Sequence, residues 1–261
     1  MSAIDLVMAE HIRQLAAQGK RVDARGDFDF RPISIAAGII DNAEGSAEVD
    51  MGGTQVLAGV KVDLGEPMSD TPDRGNLSVS AELLPMASPD YEAGPPSPTA
   101  IELARVVDRG IRAAECIDLE SLFIEEGKVW SVWIDLYVLN YSGNLIDAAG
   151  LAAMAALNTC RVPKYEDGKA VREDRSKRLK IDNIVTSTTF GKINGRAFLD
   201  TSAEEEAAVD GRLTIQTDGE LIRAMQKGLS GGFSVQEVSD LVDRSFEAHT
   251  NLKEYITKAS K

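Results

Sequence analysis

The sequence predicts an α+β protein made of two similar lobes, each a mixed β-sheet with packed helices. In each half of the chain, strand patterns come first and an amphipathic helix follows, so the order of elements repeats. The centre of the chain, residues 129–160, carries the pattern of a strand, a short loop and a helix. With 261 residues, the chain is long enough to bury one large core or the cores of two fused lobes.

These patterns divide the chain into four segments. We expect an N-terminal helix and lead-in over residues 1–25, a first lobe over 26–160, a basic connecting loop over 161–183 and a second lobe over 184–261. The two lobes share an order of elements, but their sequence identity is too weak to prove an internal duplication.

The chain begins with an amphipathic helix, which precedes the strands of the first lobe. Apolar residues form one stripe over residues 2–18, Ser2 stands at the N-cap position and Gly19 follows the end of the stripe. A hairpin comes next, because apolar residues alternate on both sides of Gly52-Gly53, where a two-residue turn needs positive φ. A further strand is expected over residues 77–83.

A helix with a row of arginines follows a proline-rich loop. Its start is predicted at Thr99-Ala100-Ile101-Glu102, which has the pattern of a capping box. Arg105, Arg109 and Arg112 then lie on the outer side, where Asp108 has the spacing to pair with the first and the last of them. Spacing alone favours a solvated face. The alternative is a stripe that contacts phosphates, since guanidinium groups bind phosphate oxygens through paired hydrogen bonds.

The central stretch is where a catalytic site is expected. Residues 129–139 carry apolar groups on both faces, which predicts a strand covered on both sides. After the loop Asn140-Tyr141-Ser142-Gly143, an alanine-rich helix begins, and a helix entered through such a loop offers free N–H groups to an anion. Here Leu145 and Ile146 bring no cation, and we expect Asp147 to cap the N–H groups and repel phosphate.

The second half begins with a basic segment and then returns to strands. Residues 161–180 hold eight cations against four acids and one aromatic residue, which favours a mobile solvated loop over a base-stacking surface. Strand patterns resume at residue 184, with turns at Asn194-Gly195 and Asp218-Gly219. A second capping box at Ser234-Val235-Gln236-Glu237 opens the closing helix.

Composition and charge limit the classes of function. Hydrophobic residues make up 43% of the chain and charged residues 27%, and no window is long and apolar enough to cross a membrane. The N-terminus lacks the basic start and apolar run of a signal peptide, so we expect a cytoplasmic protein with no membrane partner. The net charge of −14 argues against bulk attraction to nucleic acid, so any such contact must be local.

Cysteines and histidines are too few to indicate a metal centre. Cys116 and Cys160 are the only cysteines, and we expect two buried thiols rather than a disulfide or a zinc site. His11 lies on or beside the apolar stripe of the first helix and His249 near the end of the chain, and both are expected to be structural or solvated. We therefore expect no metal and no other cofactor.

Five sequence segments form a specific combination, although each alone is weak: Arg21-Val22-Asp23-Ala24-Arg25, Arg31-Pro32-Ile33, Gly45-Ser46-Ala47, Gly53-Thr54-Gln55-Val56-Leu57 and the helix from Glu102 to Arg112. Together they resemble the RNase PH family of phosphorolytic exoribonucleases, from about Gly19 to about Leu252. Within the family, the chain is most similar to the non-catalytic RNase PH-like subunit of the archaeal exosome. That similarity is carried by Asn76-Leu77, Glu82-Leu83-Leu84-Pro85, Gly94-Pro95-Pro96 and the run from Ala100 to Arg109.

The resemblance implies an RNase PH-like fold and a chain without chemistry of its own. Catalytic members resemble one another in a Gly-rich turn, a Ser or Thr and an Arg that hold phosphate, whereas this chain has Gly143, Asn144, Leu145 and Ile146. Catalytic members also carry a pair of Asp residues in the second lobe, one of which donates a proton. The comparable acids here lack that pairing and are expected to form a solvated acidic turn; they are Asp200, Glu204, Glu205, Glu206 and Asp210.

The resemblance also implies partners and a site. The partners are a catalytic RNase PH-like sister subunit, with three heterodimers in a hexameric ring, RNA-binding cap proteins on the ring, and the 3′ end of an RNA. The implied RNA-binding residues are Arg105, Arg109 and Arg112. One alternative is a self-sufficient homohexameric exoribonuclease of the RNase PH type. Another is a small-molecule kinase, which the loop Ser230-Gly231-Gly232-Phe233 supports poorly because it has no lysine.

Overall fold

The computed structural model describes residues 3–260, with side chains from residue 6 onward, and it shows two sheets that share a layer of helices. The α-helices of this part of the chain are α1 (Ala3–Ala17), α2 (Pro98–Ala113), α3 (Leu145–Thr159), α4 (Ala203–Glu206) and α5 (Val235–Ala259). The strands of the first sheet are β1 (Ile33–Ala37), β2 (Gly45–Met51), β3 (Thr54–Gly65), β4 (Asn76–Leu83), β5 (Phe123–Glu125) and β6 (Lys128–Asn140). The α+β class is confirmed.

Shorter and later strands complete the architecture. Two ribbons of two strands each follow α3, made from β7 (Arg161–Val162), β8 (Lys164–Glu166), β9 (Lys169–Val171) and β10 (Lys177–Arg178). The strands of the second sheet are β11 (Thr186–Ile193), β12 (Arg196–Leu199), β13 (Gly211–Thr217) and β14 (Ile222–Gly228). No helix among residues 3–260 has both the length and the apolar character needed to span a bilayer.

The first sheet is mixed, with the order β1-β2-β3-β6-β4, and β5 pairs with the start of β6. Only the β4–β6 pair is parallel in this sheet. The predicted hairpin joins β2 to β3, with Met51 opposite Thr54. Gly52 and Gly53 form its turn with φ angles of +56° and +91°, a conformation that costs glycine little. The hairpin prediction is confirmed.

Beyond Ser131, the central strand β6 is covered on one face only, so the prediction of cover on both faces is wrong for most of the strand. Val132 and Ile134 are fully buried, whereas Trp133 and Tyr137 each remain 38% exposed. The difference arises because α2 and α3 pack on the same side of the sheet, which leaves the side of Trp133 and Tyr137 open. An apolar residue on a strand shows only that its face can be buried, not that this chain buries it.

Helix α3 is the centre of the molecule and is buried along its length, as its small side chains predict. It contacts β2 and β3 of the first sheet, β11 of the second sheet, and both α2 and α5. The approach is close: a Cβ placed on Gly45 of β2 would lie 2.3 Å from the carbonyl oxygen of Ala156. Larger residues at either surface would separate the sheet from the helix.

The second sheet is antiparallel in the order β12-β11-β13-β14. The predicted turn at Asn194-Gly195 is present, with φ angles of +49° and +79°. The predicted capping box is also present, since Ser234 Oγ accepts from Glu237 N and the Glu237 carboxylate accepts from Ser234 N. Helix α1 packs on this lobe, where Ile12 and Phe198 belong to one core cluster. The predicted Ser2 cap lies outside the described residues.

Helix α2 begins two residues earlier than predicted, so the capping box at Thr99 is a wrong prediction. The N-cap is Ser97, whose hydroxyl accepts the N–H of Ala100 at 3.2 Å. Pro98 occupies the first helical position, where its missing N–H costs nothing. Glu102, expected to close the box, instead pairs with Arg212 of β13.

The basic segment after α3, which we name the basic strap (residues 161–180), is not the solvated loop that its composition predicts. It folds into the two short ribbons and lies against the first sheet. Arg172 and Arg175 pair with the buried carboxylate of Glu44, and Arg172 also pairs with Asp63. Because Glu44 precedes the strap by more than 100 residues, the charge pattern of the strap alone does not indicate this anchor.

Candidate functional site

The three arginines of α2 differ in how strongly they are held. Arg112 pairs with Asp108, with 2.7 Å between Nη2 and Oδ1. Arg109 has no acidic partner within residues 6–260, as predicted, but its Nη1 donates to Gln226 Oε1 at 3.0 Å. Arg105 is exposed and has no side-chain hydrogen bond or ion pair in the same part of the chain, so the predicted pairing with Asp108 is wrong. The freest cation of the stripe is therefore Arg105.

The stripe lies beside the face of α2 that contacts the second lobe, where α2 is tied to β13 and β14. Arg212 donates to Glu102 at 2.6 Å, and Gln216 donates to the carbonyl of Val106 at 3.2 Å. A Cβ on Gly110 would lie 2.5 Å from the amide of Gln216, so a larger residue there would push α2 off the second sheet. These contacts hold Arg105 and Arg109 on a rigid surface at the junction of the lobes.

The loop that precedes α3 holds a carboxylate from its own chain. The backbone N–H of Asn144 donates to Glu206 Oε1 at 2.7 Å, and the hydroxyl of Tyr141 donates to Glu206 Oε2. Burial raises the pKa of Glu206, while those two hydrogen bonds act to lower it. Burial and the Glu206 carboxylate also raise the pKa of Tyr141, which keeps its hydroxyl a donor. The N–H at the entrance to α3 is thus already occupied by an anion.

Asp147 does not cap α3, so that prediction is wrong. Its carboxylate accepts hydrogen bonds from the backbone N–H and the hydroxyl of Thr189 and from the Asn144 side-chain amide. Burial raises the pKa of Asp147 to about 7, and the nearby charge of Asp200 acts in the same direction. Helix α3 starts instead at Asn144, which adopts a left-handed conformation with φ of +53° and makes no side-chain cap. Asp147 joins α3 to the second sheet.

Arg31 joins the loop before α3 to the second lobe through Asp200. Its Nε and Nη2 reach the two carboxylate oxygens of Asp200 at 2.9 and 2.8 Å, and its remaining donors reach the carbonyls of Ser142 and Gly143. Burial acts to raise the pKa of Asp200, but the hydrogen bonds and charge of Arg31 outweigh it and lower that pKa. Each nitrogen of the Arg31 guanidinium is therefore already bound to an acceptor within the protein.

The acids of the second lobe do not form the solvated turn that we predicted. Glu205 is buried and binds Arg21 through two bonds of 2.9 and 2.6 Å, and Asp200 and Glu206 are held as described above. Only Glu204 and Asp210 are exposed. One signal in the sequence could have revealed Glu205, because Ser202 precedes it by three residues and the two form a capping box.

A small cavity of about 70 Å³ lies between the loop, α2 and β13, with Tyr91, Asn144, Glu206 and Arg212 in its lining. That space suits a few water molecules and not a nucleotide. The Oδ1 of Asn144 and the Nε of Arg212 are buried there without a protein partner within residues 6–260. The cavity is compatible with solvent between the lobes rather than with a substrate pocket.

The cysteines and histidines lie apart from this region. Cys116 and Cys160 are both buried free thiols, as predicted, and burial raises the pKa of each to about 12. His249 is buried with Nδ1 at 2.9 Å from the Thr186 hydroxyl, and burial lowers its pKa. His11 is exposed. Within the described residues no cluster of His, Cys, Asp or Glu has the arrangement of a metal site.

Comparison with known proteins supports the resemblance to the RNase PH family over nearly the whole chain. The two domains of the 3′ exoribonuclease family, of the RNase PH type, match residues 29–163 and 183–248. The exosome complex component Rrp42 of Thermococcus gammatolerans is 45% identical, over 97% of this chain and 95% of that protein. The component of the same name from Thermoplasma acidophilum is 47% identical, over 90% of each chain.

Solved structures agree with the sequence comparison. A chain of the Archaeoglobus fulgidus exosome with RNA bound to the active site superposes with a TM-score of 0.91 and 40% identity, covering 97% of this chain and 99% of that one. A chain of an archaeal exosome core gives a TM-score of 0.87 and 38% identity, covering 97% and 98%. With matching domains in both lobes and relatives above 40% identity along its length, the chain belongs to the 3′ exoribonuclease family of the RNase PH type.

Proposed function

We propose that this chain is the non-catalytic RNase PH-type subunit of an exosome that degrades RNA from the 3′ end by phosphorolysis. The observation that carries the proposal is the Glu206 carboxylate on the N–H of Asn144. A phosphorolytic site must hold inorganic phosphate next to the terminal phosphodiester, and a helix entrance with free N–H groups is a common place for it. Here that N–H is satisfied by an internal anion, which would also repel a phosphate.

The surrounding side chains offer phosphate no compensating cation. Arg31 is committed to Asp200 and to two carbonyls, and Arg212 donates its Nη2 to Glu102, which leaves its buried Nε without a partner within residues 6–260. The first turn of α3 presents Leu145 and Ile146, which are apolar. Phosphate recognition in proteins depends on charge-assisted hydrogen bonds from Arg, Lys or free backbone N–H groups. This loop supplies no cation, and the N–H of Asn144 is already bound to Glu206, so we assign the chain no phosphate site of its own.

The proposed role therefore lies in assembly and in RNA contact. The relatives at 45% and 47% identity are named exosome components, and one matching structure is an exosome with RNA at its active site. We assign this chain a catalytic RNase PH-like sister subunit as partner, with three heterodimers in a hexameric ring, cap proteins on the ring and a cytoplasmic location. The open face of β6, with Trp133 and Tyr137, is a surface available for such an assembly.

RNA contact is assigned to the stripe on α2. Arg105 and Arg109 lie one helical turn apart on its exposed side, where neither is neutralised by an acid. Two like charges at this spacing disfavour the helix slightly, and phosphates placed opposite them would reverse the sign of that interaction. Arg112 has its guanidinium on Asp108 and on the carbonyl of Leu77, so its contribution is expected to be smaller.

The experiment is an RNA degradation assay in phosphate buffer, with the purified chain alone, the purified sister subunit alone and the two together. We expect no release of nucleoside diphosphates by this chain alone and phosphate-dependent shortening by the mixture. Light scattering on the same samples should show one species with equal amounts of the two chains. Phosphate-dependent degradation by this chain alone would establish the alternative, a self-sufficient homohexameric exoribonuclease.

A further inference from the structure

Two arginines face each other on the ribbon that β7 and β10 form within the basic strap. Strands β7 and β10 are antiparallel, and their register places Arg178 directly opposite Arg161. Side chains of directly opposite residues leave the ribbon on the same face. Both arginines are exposed. The strap therefore presents two guanidinium groups side by side towards solvent.

These two guanidinium groups make few polar contacts within the described part of the chain. Neither forms an ion pair with another residue between 6 and 260. Arg161 makes one long hydrogen bond, of 3.5 Å, to the carbonyl of Arg175, and Arg178 makes no side-chain hydrogen bond in that part of the chain. Each guanidinium carries five N–H donors in a fixed plane. Like charges directly opposite on a ribbon destabilise it, so this pair weakens the strap unless an anion binds between them.

The ion pairs that anchor the strap also leave an excess of positive charge near Arg161 and Arg178. The buried carboxylate of Glu44 is shared by Lys61, Arg172 and Arg175, and Asp63 is the other acid of this group. Three cations thus meet two acids, and this group cannot neutralise the two outer arginines. The basic strap is a local inversion of charge on a chain whose net charge is −14. Such a patch attracts phosphates while the rest of the surface repels them.

We propose that Arg161 and Arg178 form a binding site for the phosphates of single-stranded RNA, separate from the stripe on α2. Paired guanidinium groups suit phosphate because each can offer two parallel N–H donors. Base stacking is not part of this site. The one aromatic residue of the strap, Tyr165, donates its hydroxyl to Glu125 and lies under Lys128. Contacts of this kind hold a strand without reading its sequence.

The site lies beyond the C-terminal end of α2, whereas Arg105 lies at the middle of that helix. The chain segments that flank α2 and the strap meet at a bridge between Ile117 and Ile181, just after the C-terminal end of the helix at Ala113. Arg105 is eight residues before that end, about 12 Å along the helix axis at 1.5 Å per residue. The identification of the anion as RNA rests on the proposed function. The geometry of the cation pair does not depend on it.

The test compares the salt dependence of RNA binding between rings assembled from the unaltered chain and rings assembled from its Arg161→Gln plus Arg178→Gln variant, each with the sister subunit. Binding of a short oligoadenylate is measured between about 50 and 200 mM salt. Each phosphate contact contributes about 0.7 to the slope of log K against log salt for a single strand, so losing two lowers the slope by about 1.4. The matched control, Arg13→Gln plus Lys20→Gln, removes the same amount of charge from the surface of the second lobe. This control should change the slope by less than half as much as the strap variant does.

Direct observation of the arginines makes the result independent of the folding of the variant. In the unaltered chain, the Nε–H resonances of Arg161 and Arg178 should shift on addition of the oligoadenylate. Inorganic phosphate at the same phosphate concentration should shift them less, because it is not tethered to further contacts. Shifts of equal size with inorganic phosphate would overturn RNA as the ligand, and unshifted resonances with an unchanged slope would overturn the site.

A parallel variant separates failure of this site from failure of the proposed function. Arg105→Gln plus Arg109→Gln is measured against the same oligoadenylate. If the α2 variant lowers the slope and the strap variant does not, the strap site is wrong and the proposed function stands. If neither variant changes the slope, both the strap site and RNA contact by this chain are wrong.

Discussion

The carboxylate of Glu206 accepts the backbone N–H of Asn144 at 2.7 Å, although 62 residues separate the two in the chain. Glu206 comes from α4 of the second lobe, and Asn144 begins α3 of the first. The pair therefore does two things at once: it satisfies an N–H at a helix entrance, and it joins the lobes. An external anion could reach this N–H only after Glu206 had left it, which is the physical basis for assigning no phosphate site to this chain.

Replacement of Glu206 by alanine should destabilise the chain without creating an enzyme. The N–H of Asn144 and the hydroxyl of Tyr141 would lose their acceptor, and leaving such buried donors unsatisfied costs about 1–3 kcal/mol. Glu206→Gln should cost less, because its amide oxygen can still accept one of the two bonds. Urea denaturation of the three proteins measures the order.

The activity of the alanine variant is the second measurement. Removing the internal anion supplies no cation near Leu145 and Ile146, so RNA should not shorten in phosphate buffer with either variant. A Glu206→Ala protein as stable as the unaltered chain would show that the carboxylate is dispensable. Phosphate-dependent RNA degradation by that variant would show that Glu206 alone blocks a complete site.

The stability of the chain should fall as pH rises from about 4 to about 7 because of Asp147. Burial raises the pKa of this carboxyl from 3.8 to about 7 in the folded chain, so the folded state binds more protons than the unfolded state across that range. Unfolding then becomes easier with rising pH, by up to about 1.4 kcal/mol per pH unit for one proton. Below the unfolded pKa the effect is absent, since both states are protonated.

The variant Asp147→Asn isolates this effect, because an amide does not titrate. Other carboxyls, Glu206 among them, change protonation in both proteins and cancel in the difference. We expect the free energy of unfolding of the variant to depend less steeply on pH between 4 and 7, as measured by urea titrations at a series of pH values. Parallel curves for the two proteins would mean that Asp147 is ionised in the folded chain throughout.

Local patterns in the sequence predicted the local parts of the structure. Two glycines at the turn after Met51 predicted the β2–β3 hairpin, and Ser234 with Glu237 predicted the start of α5. The small side chains of α3 predict that neighbouring elements can approach its backbone closely, and β2 does so at Gly45. Each of these features depends on residues a few positions apart, or on the size of side chains, and such information is present in a single segment of sequence.

The parts that the sequence did not predict depend on residues far apart in the chain. Glu44 anchors Arg172 from 128 residues away, and Asp147 meets Thr189 rather than its own helix. Apolar groups on both faces of β6 predict two buried faces, but which face is covered depends on where the helices pack. The local sequence predicts that the acids around Asp200 are solvated, because their cationic partners lie near the start of the chain and not beside them. Relations of this kind follow from the fold and not from spacing.

Replacement of Glu44 by glutamine should release the basic strap from the first sheet. The carboxylate is fully buried and meets Lys61, Arg172 and Arg175, so its loss leaves three cations without their shared partner. Hydrogen bonds to charged groups contribute about 1.5–3 kcal/mol, and the partial exposure of the cations places the expected loss of stability at the lower end. Limited trypsin digestion should cut Glu44→Gln within residues 161–180 faster than the unaltered chain.

A suitable control for the strap is Glu166→Gln. It removes the exposed pair between Lys164 and Glu166, whose side chains are 51% and 55% exposed, and such pairs contribute little to stability. Digestion of the control should match that of the unaltered chain. Equal rates for all three proteins would show that the strap is held by its backbone pairing and not by Glu44.

Replacement of both Arg105 and Arg109 by glutamate in the assembled ring should weaken the binding of RNA of every sequence, because phosphate contacts position a strand without reading its bases. The loss of two contacts should lower the salt slope by about 1.4 for single-stranded RNA, and the added acids should reduce affinity further through repulsion. Arg105 makes no side-chain contact within residues 6–260 and Arg109 makes one, to Gln226, so the fold should survive.

Arg112→Glu is the informative comparison, because it makes the same kind of replacement once on the same helix. Its guanidinium holds Asp108 and the carbonyl of Leu77, so its loss should lower stability more and RNA affinity less than the double variant. Affinity is measured at two salt concentrations on rings whose composition has been checked by light scattering. If the double variant forms intact rings with unchanged affinity and slope, Arg105 and Arg109 belong to a solvated face. If Arg112→Glu weakens binding as much as the double variant does, the whole stripe contacts RNA and pairing within the helix does not reduce it.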